Sequence, residues 1–122
     1  MSDNKDYIVQ KQENGSVNIN EDVIIAITAE AVKEVDGVVS LYGNLGSDIA
    51  DRLGMKNPGK GIKIVLNENS VELECSIVAL YGKPVIEIAK NVQTSVRNAI
   101  ESMTGLTVDF INVNVSGISI EK

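Results

Sequence analysis

The stretch PVIEIAKNVQTSVRNAIESMT, residues 84–104, decides how the rest of the chain is read. Val85, Ile88, Ala89, Val92, Val96, Ala99, Ile100 and Met103 fall on one stripe at helical spacing. Glu87, Lys90, Asn91, Thr94, Arg97 and Glu101 lie on the other side. Pro84, with its fixed φ, suits the N1 position, and Gly105 suits the cap at the far end. The pattern predicts an amphipathic helix over 84–104 that must lie on an apolar layer.

Immediately upstream the period changes to two. Ile62, Ile64 and Leu66 share one face, Asn67 to Ser70 make a turn, and Val71, Leu73, Cys75, Ile77, Ala79 and Tyr81 share a face opposite Glu72, Glu74 and Ser76. This predicts an antiparallel hairpin with one wet side. Downstream, 108–120 reads as a last strand. Its apolar phase slips after Phe110 and again before Ile118, so bulges are expected near Phe110 and Gly117.

Further out, Ser16 to Asn20 is a short strand. Asn20 caps a helix whose first turn carries Glu21 and Asp22, favourable at the positive end of the helix dipole. Ile24, Ile27, Ala31 and Val35 form its apolar stripe, widened by Val23, Ile25 and Val32, and Gly37 ends it as a C′ residue. The wide stripe is either all core or partly a subunit contact. Val38 to Tyr42 is a second short strand. Residues 1–14 read as a flexible polar tail and residues 15–122 as a single domain. The expected fold is α+β: a two-layer sandwich with two helices on one face of a mixed or antiparallel sheet, β-α-β-β-α-β-like as in the ferredoxin fold.

The composition excludes several function classes. A net charge of −6 disfavours nucleic-acid binding, which needs clustered Lys and Arg. Three tyrosines, one phenylalanine and no tryptophan leave little to stack bases on. With no histidine, the commonest general base and metal ligand is missing, so no metal or other cofactor is expected and no catalytic residue is assigned. The single cysteine, Cys75, fits a reducing compartment, and the N-terminus lacks the apolar core of a signal peptide. A cytoplasmic location is therefore expected. No uncharged stretch is long enough to span a bilayer directly. Cys75 shares the phase of Leu73 and Ile77, which reads as packing and not as a nucleophile.

Residues 43–61 hold five of the ten glycines and form the one long irregular connection, with a helical turn expected over 48–53. Gly54 to Gly61 nearly fits the phosphate-binding glycine loop. Its last position is Gly61 where a hydroxyl should ligate magnesium, and it runs into a strand instead of opening a helix, so nucleotide binding is not expected. In the same region Arg52, Lys56, Lys60 and Lys63 make a positive cluster on an acidic chain. That cluster is either a solvated loop or a contact for an acidic partner or lipid headgroups.

In order, Gly15-Ser16-Val17-Asn18-Ile19-Asn20, Val35-Asp36-Gly37-Val38, Gly59-Lys60-Gly61-Ile62-Lys63-Ile64, Ile77-Val78-Ala79-Leu80-Tyr81-Gly82, Met103-Thr104-Gly105-Leu106 and Ile111-Asn112-Val113-Asn114-Val115 run through nearly the whole chain. Together they resemble the alkaline-shock and glucose-starvation stress protein family of Gram-positive bacteria, also called the envelope stress response family. The resemblance implies a cytoplasmic, self-associating protein without enzyme activity. Some members of that family are held at the membrane by a membrane-anchored partner, and others are linked to lipid and fatty-acid synthesis. No catalytic motif exists to carry over.

Three functions are therefore weighed. The first is a stress-associated module that forms a homo-oligomer and docks on a membrane-anchored protein. The second is a regulator of a soluble biosynthetic enzyme of fatty-acid or lipid synthesis. The third is an enzyme working through carboxylates or the loop around Lys60. The missing catalytic chemistry favours the first two.

Overall fold

The computed structural model describes residues 7–43 and 61–121. In chain order the elements are β1 (Tyr7–Gln12), β2 (Gly15–Asn20), α1 (Glu21–Lys33), β3 (Val38–Leu41), β4 (Ile62–Leu66), β5 (Ser70–Leu80), α2 (Val85–Thr104) and β6 (Thr107–Ser119). β5 is the axis of the main sheet. Along one edge it pairs antiparallel with β4, from Ile62↔Cys75 to Leu66↔Val71, and with β3, from Val38↔Ala79 to Leu41↔Ile77. Along its other edge it pairs parallel with β6 over its whole length. A parallel neighbour needs a crossover, and α2 supplies it.

The period-two pattern of β5 turns Val71, Leu73, Cys75, Ile77 and Ala79 toward the helices, and all five are buried. Ile88, Val92, Val96 and Ile100 of α2 and Ile24, Ile27, Ala31 and Val32 of α1 close over them. Each fully buried Val or Ile side chain contributes roughly 1.5–3 kcal/mol relative to exposure, so this seam dominates the stability. The two helices also touch through a polar group, Ser95 Oγ donating to the Ala31 carbonyl at 3.1 Å. The expected α+β sandwich, with two helices on one face of a mixed sheet, is what the chain forms. The broad apolar stripe of α1 is core, with only Val23 substantially exposed at its margin.

Both expected bulges are present. Val71 faces Val108 but Glu72 faces Phe110, which leaves Asp109 as an extra residue; Ile77 faces Val115 but Val78 faces Gly117, which leaves Ser116 as another. Asn20 caps α1 as expected, its Oδ1 accepting from the Asp22 N–H at 2.7 Å.

Three local readings need correction. Residues 7–12, assigned on sequence to the polar tail, form β1, which pairs antiparallel with β2 from Tyr7↔Asn20 to Gln12↔Gly15. The tail folds because Ile8 is buried in the core and Gln10 Nε2 reaches the Thr104 carbonyl at 3.0 Å at the end of α2. The order of elements did not disclose that β2 leaves the main sheet to pair with β1 in a separate two-stranded ribbon. Pro84 is the N-cap, with φ −64° and ψ 118°, and the helix starts one residue later because that extended ψ cannot be helical. Finally, α1 is capped at Glu34, and Gly37 serves another purpose: a Cβ there would lie 2.8 Å from Ile88 Cδ1 of α2.

Candidate interaction surface

Of the positive cluster, Arg52, Lys56 and Lys60 lie outside the described residues, as do the turn expected over 48–53 and most of the phosphate-loop-like segment. Lys63 is exposed on β4, with Glu74 as its cross-strand partner. The points where the chain leaves and rejoins the sheet are fixed. The Tyr42 N–H donates to the Ser76 carbonyl at 2.8 Å, and the Ser76 N–H donates to the Gly61 carbonyl at 2.8 Å. One residue of β5 thus anchors both flanks of the long connection.

The sheet face turned away from the helices has no described element packed on it. Its cross-strand rows run Val65–Glu72–Phe110, Lys63–Glu74–Asn112 and Ser40–Val78–Gly117. Hydrogen bonds tie much of this face together. Asn114 Nδ2 donates to Glu74 Oε2 at 2.8 Å, and Ser70 Oγ to Asp109 Oδ2 at 2.7 Å. Asn67 Nδ2 donates to Glu72 Oε2 at 3.2 Å. The carboxylates therefore stitch strands together, an ordinary role for charge on a sheet surface. Between them stand apolar groups, Val65 at 54% exposed and Phe110 at 46%, whereas Ile118, 51% exposed, pairs with Ala79 and so lies on the helix side near the end of β6. At the end of the face nearest the long connection, Tyr42, Gly43, Val78, Gly117, Ile118 and Ile120 line an open concavity of about 940 Å³. Gly117 lets it form, because a Cβ there would fall 3.4 Å from Val78 and 3.8 Å from the Tyr42 ring.

The free edge of β6 is the second feature of the surface. Toward its start, α2 caps its backbone: Arg97 Nη1 donates to the Val108 carbonyl at 2.6 Å, Glu101 Oε2 accepts from the Val108 N–H at 3.0 Å, and Gln93 Nε2 donates to the Ile111 carbonyl at 3.0 Å. Beyond Ile111 no described strand or side chain takes over.

Cys75 sits on the core face of β5, fully buried. Burial, and next the nearby Glu74 charge, push its thiol up from an ordinary 9.0 to about 11, so at neutral pH it is neither a nucleophile nor a thiolate ligand. Among the described residues no group of acids and cysteine is placed to hold a metal ion, and no helix is long and apolar enough to cross a membrane.

Sequence reasoning singled out Lys63 but missed the concavity and the β6 edge. Gly117 stood out only as a bulge, Arg97 and Glu101 read as the polar side of the helix, and Gln93 was assigned to neither side. The uncharged run from Phe110 to Ile120 was the available signal.

The model of the alkaline shock protein 23 family, described as of cell envelope-related function, matches residues 9–120. The chain is 33% identical over 107 residues to "Uncharacterized protein YqhY" of Bacillus subtilis, a match that covers 88% of this chain and 79% of that protein. It is 27% identical over 109 residues to the "Stress response regulator gls24 homolog" of Streptococcus pyogenes, covering 88% of this chain and 61% of that protein. Among solved structures, "MamM-CTD 215-293" matches with a TM-score of 0.51 over 80% of this chain and 99% of that one, at 11% identity, a likeness of fold alone. The ordered motifs, the two-layer fold and the match over residues 9–120 agree: the chain belongs to the alkaline shock protein 23 family of cell envelope-related function.

Proposed function

We propose that this chain is a non-enzymatic, self-associating interaction module of the stress response, tied to cell-envelope homeostasis by a membrane-anchored partner that it meets from the cytoplasm. The observation that carries the proposal is the sheet face left open by the helices. A two-layer sandwich buries one face of its sheet, and the other normally carries polar groups. Here that face exposes Val65 and Phe110 in one cross-strand row and Tyr42 at an apolar concavity toward the other end of β5, while its carboxylates are engaged in hydrogen bonds. Exposed apolar surface rimmed by polar groups is what a protein partner covers. The family's cell envelope-related function and the name of its gls24 relative supply the context.

The experiment is affinity capture of the tagged protein from cross-linked, gently solubilised cells, with the captured proteins identified by mass spectrometry. A small integral membrane protein as the main companion is the expected result. A soluble enzyme of fatty-acid or lipid synthesis in its place would replace this reading with a regulatory one. Reversing Lys56 and Lys60 to Glu tests the positive cluster as the contact: capture falls if the partner meets it, and unchanged capture assigns the contact elsewhere.

A further inference from the structure

We propose that the uncapped part of the β6 edge pairs, antiparallel and about a two-fold axis, with the same edge of a second copy of this chain. This rests on the self-association in the proposed function and names the surface that performs it.

The bonds made by α2 fix the orientation of the β6 backbone. The N–H and C=O of Val108 and the C=O of Ile111 point away from β5, because α2 side chains bond them there. Strand residues alternate in the side to which their backbone groups point, so Val113 and Val115 present theirs on the same outer edge. The second bulge, at Ser116, then reverses the phase, and the Ser119 carbonyl points back to accept from the Tyr81 N–H at 2.8 Å. The open edge is therefore the segment around Val113 and Val115, bounded by the helix caps on one side and by a bulge on the other.

Edge strands are normally kept from pairing by short length, by lysine, by proline or by inward charge. The opposite edge of the sheet shows two of these devices: β3 and β4 are four and five residues long, and Lys63 stands exposed on β4. β6 is thirteen residues long, and from Phe110 to Ile120 it has no charged residue and no proline. On a chain of net charge −6, a strand segment with no acid of its own is where a second copy meets less repulsion, and the neighbouring Glu74 carboxylate is bonded by Asn114.

The sequence is also self-complementary. With Asn114 on the axis, Val113 of one copy faces Val115 of the other, and each pair exchanges both N–H···O=C bonds. On the helix side these half-buried valines pack against their counterparts, and on the open side two uncharged asparagines meet.

Two variants test this in the full-length chain by sedimentation or light scattering. Val115→Pro removes an N–H that points outward and leaves the ladder to β5 intact. Asn114→Lys sets like charges face to face across the axis, while within one chain the new ammonium meets Glu74, which now bonds Asn114. The expected result is self-association of the unsubstituted protein, weakened about tenfold or more by each variant, with circular dichroism unchanged and partial recovery of Asn114→Lys at high salt. If Val115→Pro disturbs the fold, Asn114→Lys decides alone. Undiminished association of a folded Asn114→Lys overturns the edge proposal but leaves a self-associating module. A strictly monomeric unsubstituted protein overturns both.

Discussion

Gly61 lies so close to Tyr42 that a Cβ on it would fall 2.6 Å from the Tyr42 carbonyl oxygen. Its φ of +90° adds a second reason for glycine. The contact arises because β3 and β4 abut along one edge of β5 and both flanks bond Ser76. Gly61→Ala meets backbone that cannot swing away, so it should cost more than the roughly 1–3 kcal/mol of a strained φ alone. Gly82, at φ +103° with nothing within 4 Å, is the control. Urea denaturation should rank Gly61→Ala as clearly the more damaging change; equal costs would mean that the crowding at Tyr42 is relieved at no expense.

Arg97 and Glu101 act on β6 as a pair, one taking the Val108 carbonyl and the other its N–H. Their mutual distance of 3.8 Å, with both side chains about two-fifths exposed, adds only a few tenths of a kcal/mol. Glu101→Ala should therefore lower stability by about 1 kcal/mol and speed amide exchange at Val108 ahead of the amides bonded to β5. Exchange at Val108 as slow as in the parent would show that the carboxylate does not protect that group.

Cys75 supplies a pH dependence with a definite sign. Its folded pKa, about 11, lies above an ordinary 9.0, so between those values the unfolded chain has lost a proton that the folded chain keeps. Stability from this source is fully present below about pH 9 and is lost as pH rises toward 11, at up to about 1.4 kcal/mol per pH unit. Cys75→Ala should flatten the alkaline limb of a plot of stability against pH. The native thiol should also resist disulfide reagents at pH 8 and react promptly in denaturant. Rapid reaction of the folded protein would contradict the burial.

Ile100 and Thr28 are both fully buried, yet they should respond differently. Ile100→Ala leaves a hole under β5 and should cost about 2–5 kcal/mol. Thr28 Oγ1 donates to the Ile24 carbonyl at 2.8 Å, one turn back along the same helix. Thr28→Val removes the hydroxyl and its desolvation cost together and should change stability by less than about 1 kcal/mol. Thermal melts of the two variants check the contrast, and a large loss for Thr28→Val would reveal a second partner for its hydroxyl.

The sequence by itself determined the elements whose causes are local. Spacing in 84–104 made α2, the Asn20 side chain capped α1, alternation from Val71 to Ala79 made a strand with one dry face, and slips of phase marked both bulges. Each depends only on a residue's own backbone preference or on periodicity along a few turns. Tertiary structure decided the rest, because pairing joins residues distant in the chain. Tyr7, Ile8 and Val9 were too short an apolar run to announce a strand until β2 and the core received them. Gly37 and Gly61 are required by the approach of Ile88 and Tyr42, which no local pattern encodes. The candidate surface belongs to the same class. Tyr42, Val78 and Gly117 come from three separate stretches of the chain, and the uncharged run of β6 became an edge only once β5 had taken one of its sides and α2 had capped part of the other.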